Sequence, residues 1–413
     1  MNYELFIAKR IIAGKEYKNS ISSPIIKIAI AAIALGVIIM MISIATGTGM
    51  QHKIRDKIAG FKGHIQITNY DNRNSEVSHT SISKDQEFYP EFTSISGVKN
   101  IQVYANKAGL IRNETTFEGV VLKGVSTDYD WSFFNEYLLE GDVPNFNQRR
   151  VRDVLLSKLL VNRLNLKLLD TIDVHFLKSK KNSIPSRYKF VLTGIYETGI
   201  LEFDQNIIIG DIREVQRLNK WGNDEVGGFE IVLKDFDEIE QKGEEIFSLV
   251  GDKYSSDTIL EMESSRFMFE WIDLFDNNIW FIIGIMILVA SINMITALLV
   301  LILENISMIG LLKTLGSTNW SIRKVFLYNA SYLIIKGLFW GNLIGIAILL
   351  IQKTFGIITL NPAIYYVSEV PVHFDIFILI LLNISTLVLC FLMLIIPSII
   401  IANIRPAKSM KFA

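Results

Sequence analysis

Four long apolar stretches dominate the pattern of hydrophobic and polar positions, and they are very unequally spaced. One lies near the N-terminus and three lie close together near the C-terminus: Ile25–Ala45, Ile279–Leu303, Val325–Ile351 and Phe374–Ala402. Each is about as long as the ~20 residues that an α-helix needs to cross ~30 Å of hydrocarbon. The pattern predicts an α-helical membrane protein with four transmembrane helices and a large extracytoplasmic domain inserted between helices 1 and 2.

The expected segments follow directly from these stretches. They are an N-terminal amphipathic segment (1–24), helix 1 (25–46), the large domain (47–278), helix 2 (279–303), a coupling loop (304–324), helix 3 (325–351), an outer loop (352–373), helix 4 (374–402) and a tail (403–413). Among the short segments that flank the apolar stretches, Lys and Arg are concentrated before helix 1, between helices 2 and 3, and after helix 4, whereas the 352–373 loop has only Lys353. By the positive-inside rule these three regions are cytoplasmic, and the large domain and the 352–373 loop lie outside.

A cleaved signal peptide is the alternative interpretation of the first stretch. Basic residues precede it, and Ser43-Ile44-Ala45 has the small residues of a cleavage site. The apolar run from Ile28 to Ala45 nevertheless exceeds the ~7–15 residues of a signal-peptide core. Cleavage would also leave three spans and break the charge topology, so we favour an uncleaved anchor.

The composition fits a membrane protein that carries a water-exposed module. Half of the 413 residues are hydrophobic, 20% are charged, and the formal net charge of −1 gives no reason to expect nucleic acid as a partner. The only cysteine, Cys390, falls in the fourth stretch. The large domain therefore has no disulfide and must be stable through its own core.

Within the large domain, short strand patterns alternate irregularly with helical ones. Expected strands and helices are His64–Thr68, Ile101–Tyr104, Leu110–Arg112, Phe117–Leu122, Val154–Leu156 leading into a helix to Leu164, a Thr171–Leu177 and Tyr188–Ile195 hairpin, Asn206–Ile209 leading into a helix, Phe229–Leu233, and a helix near Glu238–Val250. Strict βαβ alternation is absent, which favours an α+β fold. The polar Asp71–Lys84 stretch has little to bury and predicts a mobile loop or insertion tip.

Motifs that carry chemistry are hard to find. The five histidines are scattered, and the sequence contains no HExxH pair, no Gly-x-Ser-x-Gly nucleophile motif and no phosphate-binding Gly-x-x-x-x-Gly-Lys-Ser/Thr loop. We therefore expect no catalytic residue, no metal site and no cofactor in this chain, and any ATP to be bound by another chain. The basic run Lys178–Lys181 and the glycines Gly47–Gly49 and Gly227-Gly228 are interpreted as a solvated hairpin tip, a helix exit and a turn.

The segment between the second and third stretches predicts a short helix with one apolar face. Ile306, Ile309, Leu312 and Leu315 recur at spacing three, and Gly316 then ends the helix before Ser317 or Thr318 caps the next one. Two interpretations remain open on the pattern alone. The helix is an ordinary loop folded against the bilayer surface, or it docks a cytoplasmic motor.

Several polar residues lie within the apolar stretches. Lys336 falls about twelve residues into the third stretch, where an unpaired charge costs at least ~2.5 kcal/mol, so it should face protein or water. Asn293, Asn329, Asn342, Asn383 and Asp375 are better explained by hydrogen bonds between helices than by a transport path.

A series of short segments occurs in the order known from one protein family. The segments are Phe6–Arg10, Gly63–Ile65, Leu122–Val125, Glu140–Asp142, Val191–Thr198 with Asp204, Val289–Ile295, Ile309–Ser317, Tyr365–Val372 and Arg405–Met410. Through them the chain resembles the FtsX/MacB-like ABC transporter permeases, and more narrowly the lipoprotein-releasing permeases of the LolC/LolE type, to which Tyr365–Val372 is the most specific pointer. It departs from that family at Glu304–Ser307, which lacks the usual basic residues, and at the charged Lys336.

The resemblance implies a bacterial inner-membrane permease with a MacB-like periplasmic domain, working as a dimer with a second copy or a paralogue. A cytoplasmic ABC ATPase would bind ATP and Mg and contact the coupling residues Glu304, Ile306, Ile309, Leu312, Lys313, Leu315 and Gly316. Lipoproteins would be extracted from membrane lipid and passed to a periplasmic carrier. Their acyl chains would enter a gap between subunits, with Val37, Met40, Met41 and Asn293 as candidate lining residues. The alternatives are a MacB-like efflux permease, an FtsX-like regulator, or a sensor that transports nothing.

Overall fold

A computed structural model describes residues 3–13, 22–112, 117–147, 151–176 and 185–398. In chain order the helices are α1 Tyr3–Ala13, α2 Ser22–Lys62, α3 Ser132–Tyr137, α4 Lys158–Leu164, α5 Leu201–Asp204, α6 Ile212–Asn219, α7 Ile239–Val250, α8 Glu263–Glu304, α9 Ile306–Thr314, α10 Asn319–Phe355, α11 Pro362–Tyr365 and α12 Ile376–Ser398. The strands are β1 Ile65–Thr68, β2 Ile82–Ser83, β3 Val98–Arg112, β4 Phe117–Val125, β5 Leu138–Gly141, β6 Asp153–Ser157, β7 Thr171–Phe176, β8 Ser186–Tyr196, β9 Ile207–Asp211, β10 Glu225–Val226, β11 Gly228–Leu233 and β12 Ser255–Thr258.

Four helices, α2, α8, α10 and α12, are long and apolar enough to cross a membrane. The first two extend well beyond the spans expected from the sequence, since α2 continues to Lys62 and α8 begins at Glu263. The expected helix exit at Gly47–Gly49 is therefore wrong. A Cβ at Gly49 would lie 2.6 Å from the carbonyl oxygen of Pro371, so glycine permits a close backbone approach inside an unbroken helix.

The chain divides into two compact units. Here the sheet unit is Gln51–Ile272 together with Thr359–Glu369, and the helical unit comprises the described residues within Met1–Met50, Asp273–Ile358 and Val370–Ala413. The large domain was expected at 47–278 and the 352–373 segment as a separate loop. The structure instead assigns the middle of that loop to the sheet unit.

In the helical unit, α10 packs on α2 through a row of glycines at spacing four. A Cβ at Gly341 would lie 2.9 Å from the Cβ of Val37, and one at Gly345 would lie 2.6 Å from the terminal methyl of Met41. Gly337 continues the row one turn earlier. Small residues at such a crossing let two helices approach closely enough for van der Waals packing, which drives helix association in a membrane.

Two asparagines join α10 to α12. The side-chain amide of Asn342 donates to the Asn383 oxygen at 2.6 Å, and the Asn383 amide donates back to the Asn342 oxygen at 3.0 Å. This reciprocal pair is the helix-to-helix hydrogen bonding expected from the sequence. Asn329, also on α10, is buried at 1% exposure, and its side-chain amide has no hydrogen-bond partner among the described residues.

The sheet unit is built on a mixed ten-stranded sheet in the order β12-β1-β11-β3-β4-β9-β6-β8-β5, with β7 pairing both β3 and β8. The pairings among β3, β4, β9, β6, β8 and β7 close a ring of six strands, whose interior holds apolar side chains such as Leu122, Val174 and Phe190. The expected α+β class and the β7–β8 hairpin are confirmed. The basic run at the hairpin tip lies outside the described residues.

The polar stretch Asp71–Lys84 is an ordered part of the sheet unit, which corrects the expectation of a mobile loop. Asn72 is buried, its oxygen accepts from the backbone nitrogens of His79 and Thr80, and its amide donates to the carbonyl of Thr80. A side chain that satisfies three backbone groups replaces the apolar core that the segment lacks.

Candidate functional site

The α9 helix between α8 and α10 ends as expected from the sequence, and α10 has the expected cap. It begins directly after Asn305, and Gly316 follows its end with φ +90°, a left-handed conformation that favours glycine. The Ser317 nitrogen bonds back to the Leu312 carbonyl at 2.9 Å, and the Thr318 hydroxyl accepts from the Ser321 nitrogen at the start of α10. Gly316 has open space around it, so only its backbone conformation requires glycine.

The apolar face that predicted a docking surface is turned inward at Ile309 and Leu312 but not at Leu315. Ile309 is fully buried and Leu312 is 8% exposed, and both belong to the apolar core of the helical unit, while Ile306 and Lys313 are half-buried. In this conformation Ile309 and Leu312 contact the rest of the helical unit, and the role of the predicted coupling residues in docking stays a prediction. Apolar residues lie on both sides of α9, so a spacing of three could not reveal which side is buried.

The exposed side of α9 shares only Leu315 with the predicted apolar face. Leu311 is 56% exposed and Leu315 is 74% exposed, and the exposed Ser307 and Thr314 lie on the same helical face as Leu311. Glu304 is exposed at the preceding bend. We call Ser307, Leu311, Thr314 and Leu315 the open α9 face.

The N-terminal helix α1 lies beside this segment. The carboxylate of Glu4 accepts from the Ser321 hydroxyl at 3.1 Å and lies 3.9 Å from the Lys324 ammonium. The hydroxyl oxygens of Tyr3 and Ser317 are 3.4 Å apart. These contacts bind α1 to the start of α10, immediately after the turn that ends α9.

The candidate gap residues of α2 are buried inside this chain. Val37, Met40 and Met41 all have 0% exposure and belong to the apolar core of the helical unit. They contact neighbouring helices in this conformation, and their assignment to a gap between subunits stays a prediction. On α2, Ile28 and Leu35 are instead 63% and 57% exposed.

The remaining intramembrane candidates lie at intermediate or exposed positions. Asn293 is half-buried on α8, next to the exposed Ile292. Lys336 is exposed on α10, with its ammonium 4.5 Å from the centre of the Tyr332 ring. A cation over an aromatic face gains favourable electrostatic energy, so this ring compensates part of the charge. Whether Lys336 faces protein or water stays a prediction.

A buried ionic network in the sheet unit was not anticipated from the sequence. The Lys123 ammonium lies 2.7 Å from the Glu230 carboxylate, and both side chains are at most 5% exposed. Gln102 donates to the same carboxylate at 2.9 Å and Gln66 at 3.3 Å. Glu230, Gln66 and Gln102 are direct register partners on adjacent strands, so one row of polar residues crosses the sheet.

This network also holds the end of α2. Lys123 donates to the carbonyl oxygen of Phe61, and the Phe61 ring stacks on Phe203 with centroids 4.2 Å apart. Beside the network lies a cavity of about 300 Å³, lined by residues that include Lys62, Asn106 and Asp257. The sequence signal was an inward-facing charged or amide residue on each of three strands. In any one of these strands the pattern is that of an ordinary strand with alternating polar and apolar residues, so it did not indicate a network.

No three histidine, cysteine, aspartate or glutamate side chains converge to hold a metal ion within the part of the chain that the structure describes.

The chain was compared with known families. The family described as MacB-like periplasmic core domain matches residues 28–247, and the FtsX-like permease C-terminal family matches residues 280–406. The chain belongs to the FtsX/MacB-like permeases. The first match covers α2 and most of the sheet unit, and the second covers α9 and the three C-terminal helices of this permease.

Relatives of the permease match it over nearly its whole length. The lipoprotein-releasing system transmembrane protein LolC of Neisseria meningitidis is 22% identical over 99% of both chains. The protein LolE of the same system in Haemophilus influenzae is also 22% identical over 99% of both chains. The periplasmic region of MacB from Actinobacillus actinomycetemcomitans is 15% identical, covering 52% of this chain and 95% of that one with a TM-score of 0.34.

Proposed function

We propose that this permease is the transmembrane subunit of an ABC transporter that extracts lipoproteins from the bacterial inner membrane and passes them to a periplasmic carrier. The observation that carries the proposal is the end-to-end match to proteins named as lipoprotein-releasing permeases, at 99% of both chains. The Tyr365–Val372 segment, where the sequence most resembles those permeases, contributes Tyr366 and Val367 to the buried core of the sheet unit. The resemblance therefore includes residues that shape the fold.

ATP hydrolysis is assigned to a separate chain, with ATP and Mg bound there. We place its docking surface on the open α9 face, since Leu311 and Leu315 are the most exposed apolar residues of that segment. Gly316 and the Thr318 cap fix the angle between α9 and α10. A push on α9 is then transmitted directly into α10.

Docking is tested by purifying the complex from cells. Replacing Leu311 and Leu315 with Asp should abolish recovery of the ATPase while the permease still inserts into the membrane. The matched control replaces Ser307 and Thr314 with Ala on the same face, which removes little contact area. Normal ATPase recovery with the Asp variant would contradict this docking surface.

For the lipid-anchored substrate, we propose access along the exposed apolar stripe of α8, which contains Phe281, Ile285, Leu288 and Ile292. The stripe repeats at helical spacing and ends beside the half-buried Asn293. The exposed Ile28 and Leu35 of α2 offer a second apolar surface. A second permease copy or a paralogue would complete the gap.

Transport itself is tested with the permease, its ATPase and an acylated protein reconstituted in lipid vesicles with a soluble carrier. ATP should transfer the acylated protein to the carrier, and the same protein without its acyl chains should not be transferred. Photocrosslinkers at Leu288 and Ile292 should capture the acylated protein in an ATP-sensitive manner. Transfer that ignores acylation would exclude lipoprotein release and favour an efflux or regulatory role.

A further inference from the structure

The Thr359–Glu369 segment between α10 and α12 is folded on itself. Thr359 and Glu369 form an antiparallel bridge, and the Leu360 nitrogen donates to the Ser368 carbonyl at 2.8 Å. Between them lies the single turn α11, after which Tyr366 has φ +61°. We call this segment the clasped loop. It belongs to the same compact unit as residues 51–272, although α10 and α12 belong to the helical unit.

A buried lysine holds the clasped loop in the sheet unit. Lys57 lies on the extension of α2 and is 5% exposed. Its ammonium donates to the carbonyl oxygen of Tyr366 at 2.8 Å and also to the carbonyl oxygen of Thr198. The same ammonium lies 4.9 Å from the centre of the Tyr137 ring. One charged group thus joins three segments that are far apart in sequence.

The second acceptor of Lys57 is itself fixed in place. The carboxylate of Asp204 accepts from the Thr198 hydroxyl at 2.8 Å and from the Gly199 nitrogen at 2.9 Å. Gly199 has φ +75°, and a Cβ there would lie 3.1 Å from the Cβ of Pro362 in the clasped loop. The turn therefore presents its carbonyl to Lys57 and leaves room for the loop.

Aromatic packing supports the loop from another side. The ring of Trp271 meets the ring of Tyr366 edge to face, with centroids 5.3 Å apart. Tyr366 is 7% exposed and Val367 is 3% exposed. An apolar side chain at position 57 would also fill this buried site and keep water out of it. A buried ammonium is costly unless its donors are satisfied, so its value here is directional bonding to two backbone carbonyls.

The path of the chain between the two units indicates how the contact of Lys57 with the clasped loop can affect movement. The chain passes between the units after Met50, Ile272, Ile358 and Glu369. The first two passages lie inside the continuous helices α2 and α8, and the other two lie in the clasped-loop connection between α10 and α12. Along this second connection, displacement of α10 and α12 is passed on directly when the clasped loop stays attached to the rest of the sheet unit.

We propose that Lys57 is a positioning residue that fastens the clasped loop to the sheet unit, so that movement of α10 and α12 during the ATPase cycle is transmitted to that unit. This inference rests on the proposed function. It assigns to Lys57 no contact with substrate or nucleotide. Its action is exerted through the backbone carbonyls of Thr198 and Tyr366.

The test uses the full permease–ATPase complex and compares Lys57→Met with Lys53→Met. Lys53 lies one turn earlier on α2, also near the Tyr137 ring, but is paired with Glu136 at an exposed position. Lys57→Met keeps an apolar stem and removes both hydrogen bonds. Hydrogen exchange at the Leu360 and Tyr366 amides should accelerate about tenfold or more. The acylated protein released per ATP hydrolysed should fall about tenfold while hydrolysis continues.

The control variants and the release ratio distinguish a positioning role of Lys57 from a purely structural one. Lys53→Met should match the wild type in both measurements, and Lys57→Arg should restore part of the release per ATP because it keeps a charged donor. Faster loop exchange with an unchanged release ratio would reduce Lys57 to a structural role and overturn the proposal. A wild-type complex that releases nothing would instead reject the proposed function.

Chemical modification of the wild-type complex tests the proposal if the Lys57→Met permease does not assemble with the ATPase. In the wild-type complex, an amine-acylating reagent should modify Lys53 and leave Lys57 protected, both with and without nucleotide. Modification of Lys57 in either state would show that the contact opens during the cycle, which contradicts the proposal.

Discussion

One helix, α2, runs through both units, and its two halves are held by different kinds of contact. In the helical unit it packs through apolar side chains such as Val37 and Met41 against glycines of α10. In the sheet unit it is held by the ammonium groups of Lys57 and Lys123. Apolar packing is the sum of many weak contacts that have no preferred direction, whereas a charged hydrogen bond requires a donor and an acceptor in a defined direction. α2 therefore has an apolar attachment in the helical unit and a directional, fixed attachment in the sheet unit.

The strongest test of the fixed attachment is Lys123→Met, which leaves the Glu230 carboxylate buried without its cation. Breaking a buried ion pair from one side costs about 3–5 kcal/mol of unfolding free energy. Urea unfolding of the full permease, followed by hydrogen exchange at amides of β3 and β11, should show this loss. The matched double variant Lys123→Met with Glu230→Gln should recover much of it. A single variant as stable as the wild type would mean that water reaches the carboxylate.

Acid should weaken the sheet unit through His64. Burial, together with repulsion from Lys99, lowers the pKa of His64 from 6.5 to about 4, and its ring nitrogen accepts from the Leu233 nitrogen at 3.2 Å. The unfolded chain therefore binds more protons between those pH values. This contribution, about 3 kcal/mol, is complete above pH 6.5 and is lost as the pH falls towards 4.

The variant that isolates this effect is His64→Asn, which keeps an acceptor but cannot titrate in that range. The difference in unfolding free energy between wild type and variant should change across pH 6.5 to 4 and stay constant above it. A difference independent of pH would show that His64 keeps its ordinary pKa.

Crowding the glycine row tests the apolar attachment of α2 to α10. Gly341→Val places a branched side chain against Val37, and overpacking of this kind costs about 1–3 kcal/mol. The control is Gly284→Val on α8, where a Cβ would meet nothing within 4 Å. Thermal unfolding in detergent should separate the two variants. Equal stability would show that α2 and α10 can move apart at little cost.

The smallest expected effect concerns the asparagine pair. Asn342→Leu should cost only about 0.6 kcal/mol, because hydrogen bonds between membrane helices contribute little on average. A double-mutant cycle with Asn383→Leu measures the coupling directly. A coupling above about 2 kcal/mol would exceed the range known for such pairs and would make this contact a fixed attachment as well.

Local patterns predicted the elements of this fold well. The apolar stretches and the strands at β1, β6, β8 and β11 could be recognised because helical and strand periods are visible within a few residues. Gly316 and Thr318 predicted the turn after α9, since both signals act through their own backbone neighbourhood.

Contacts between distant segments were not predictable from such patterns. Val37 and Met41 are apolar whether they face lipid, substrate or a glycine on another helix, so their burial depends on α10. Lys57 resembles any lysine on a polar helix extension, and its acceptor in the clasped loop is 309 residues away. Pairing over that distance leaves no periodic trace in the sequence.

The position of the clasped loop also bears on the order of synthesis. Residues 51–272 leave the ribosome long before Thr359–Glu369 is made, so the nascent sheet unit lacks part of its own core. Until that stage, Trp271 lacks the Tyr366 ring and Lys57 has one carbonyl acceptor fewer. The unit is completed only when α10 and α12 are in place to deliver the loop. A permease arrested before that point would carry an unfinished surface that a quality-control protease can recognise.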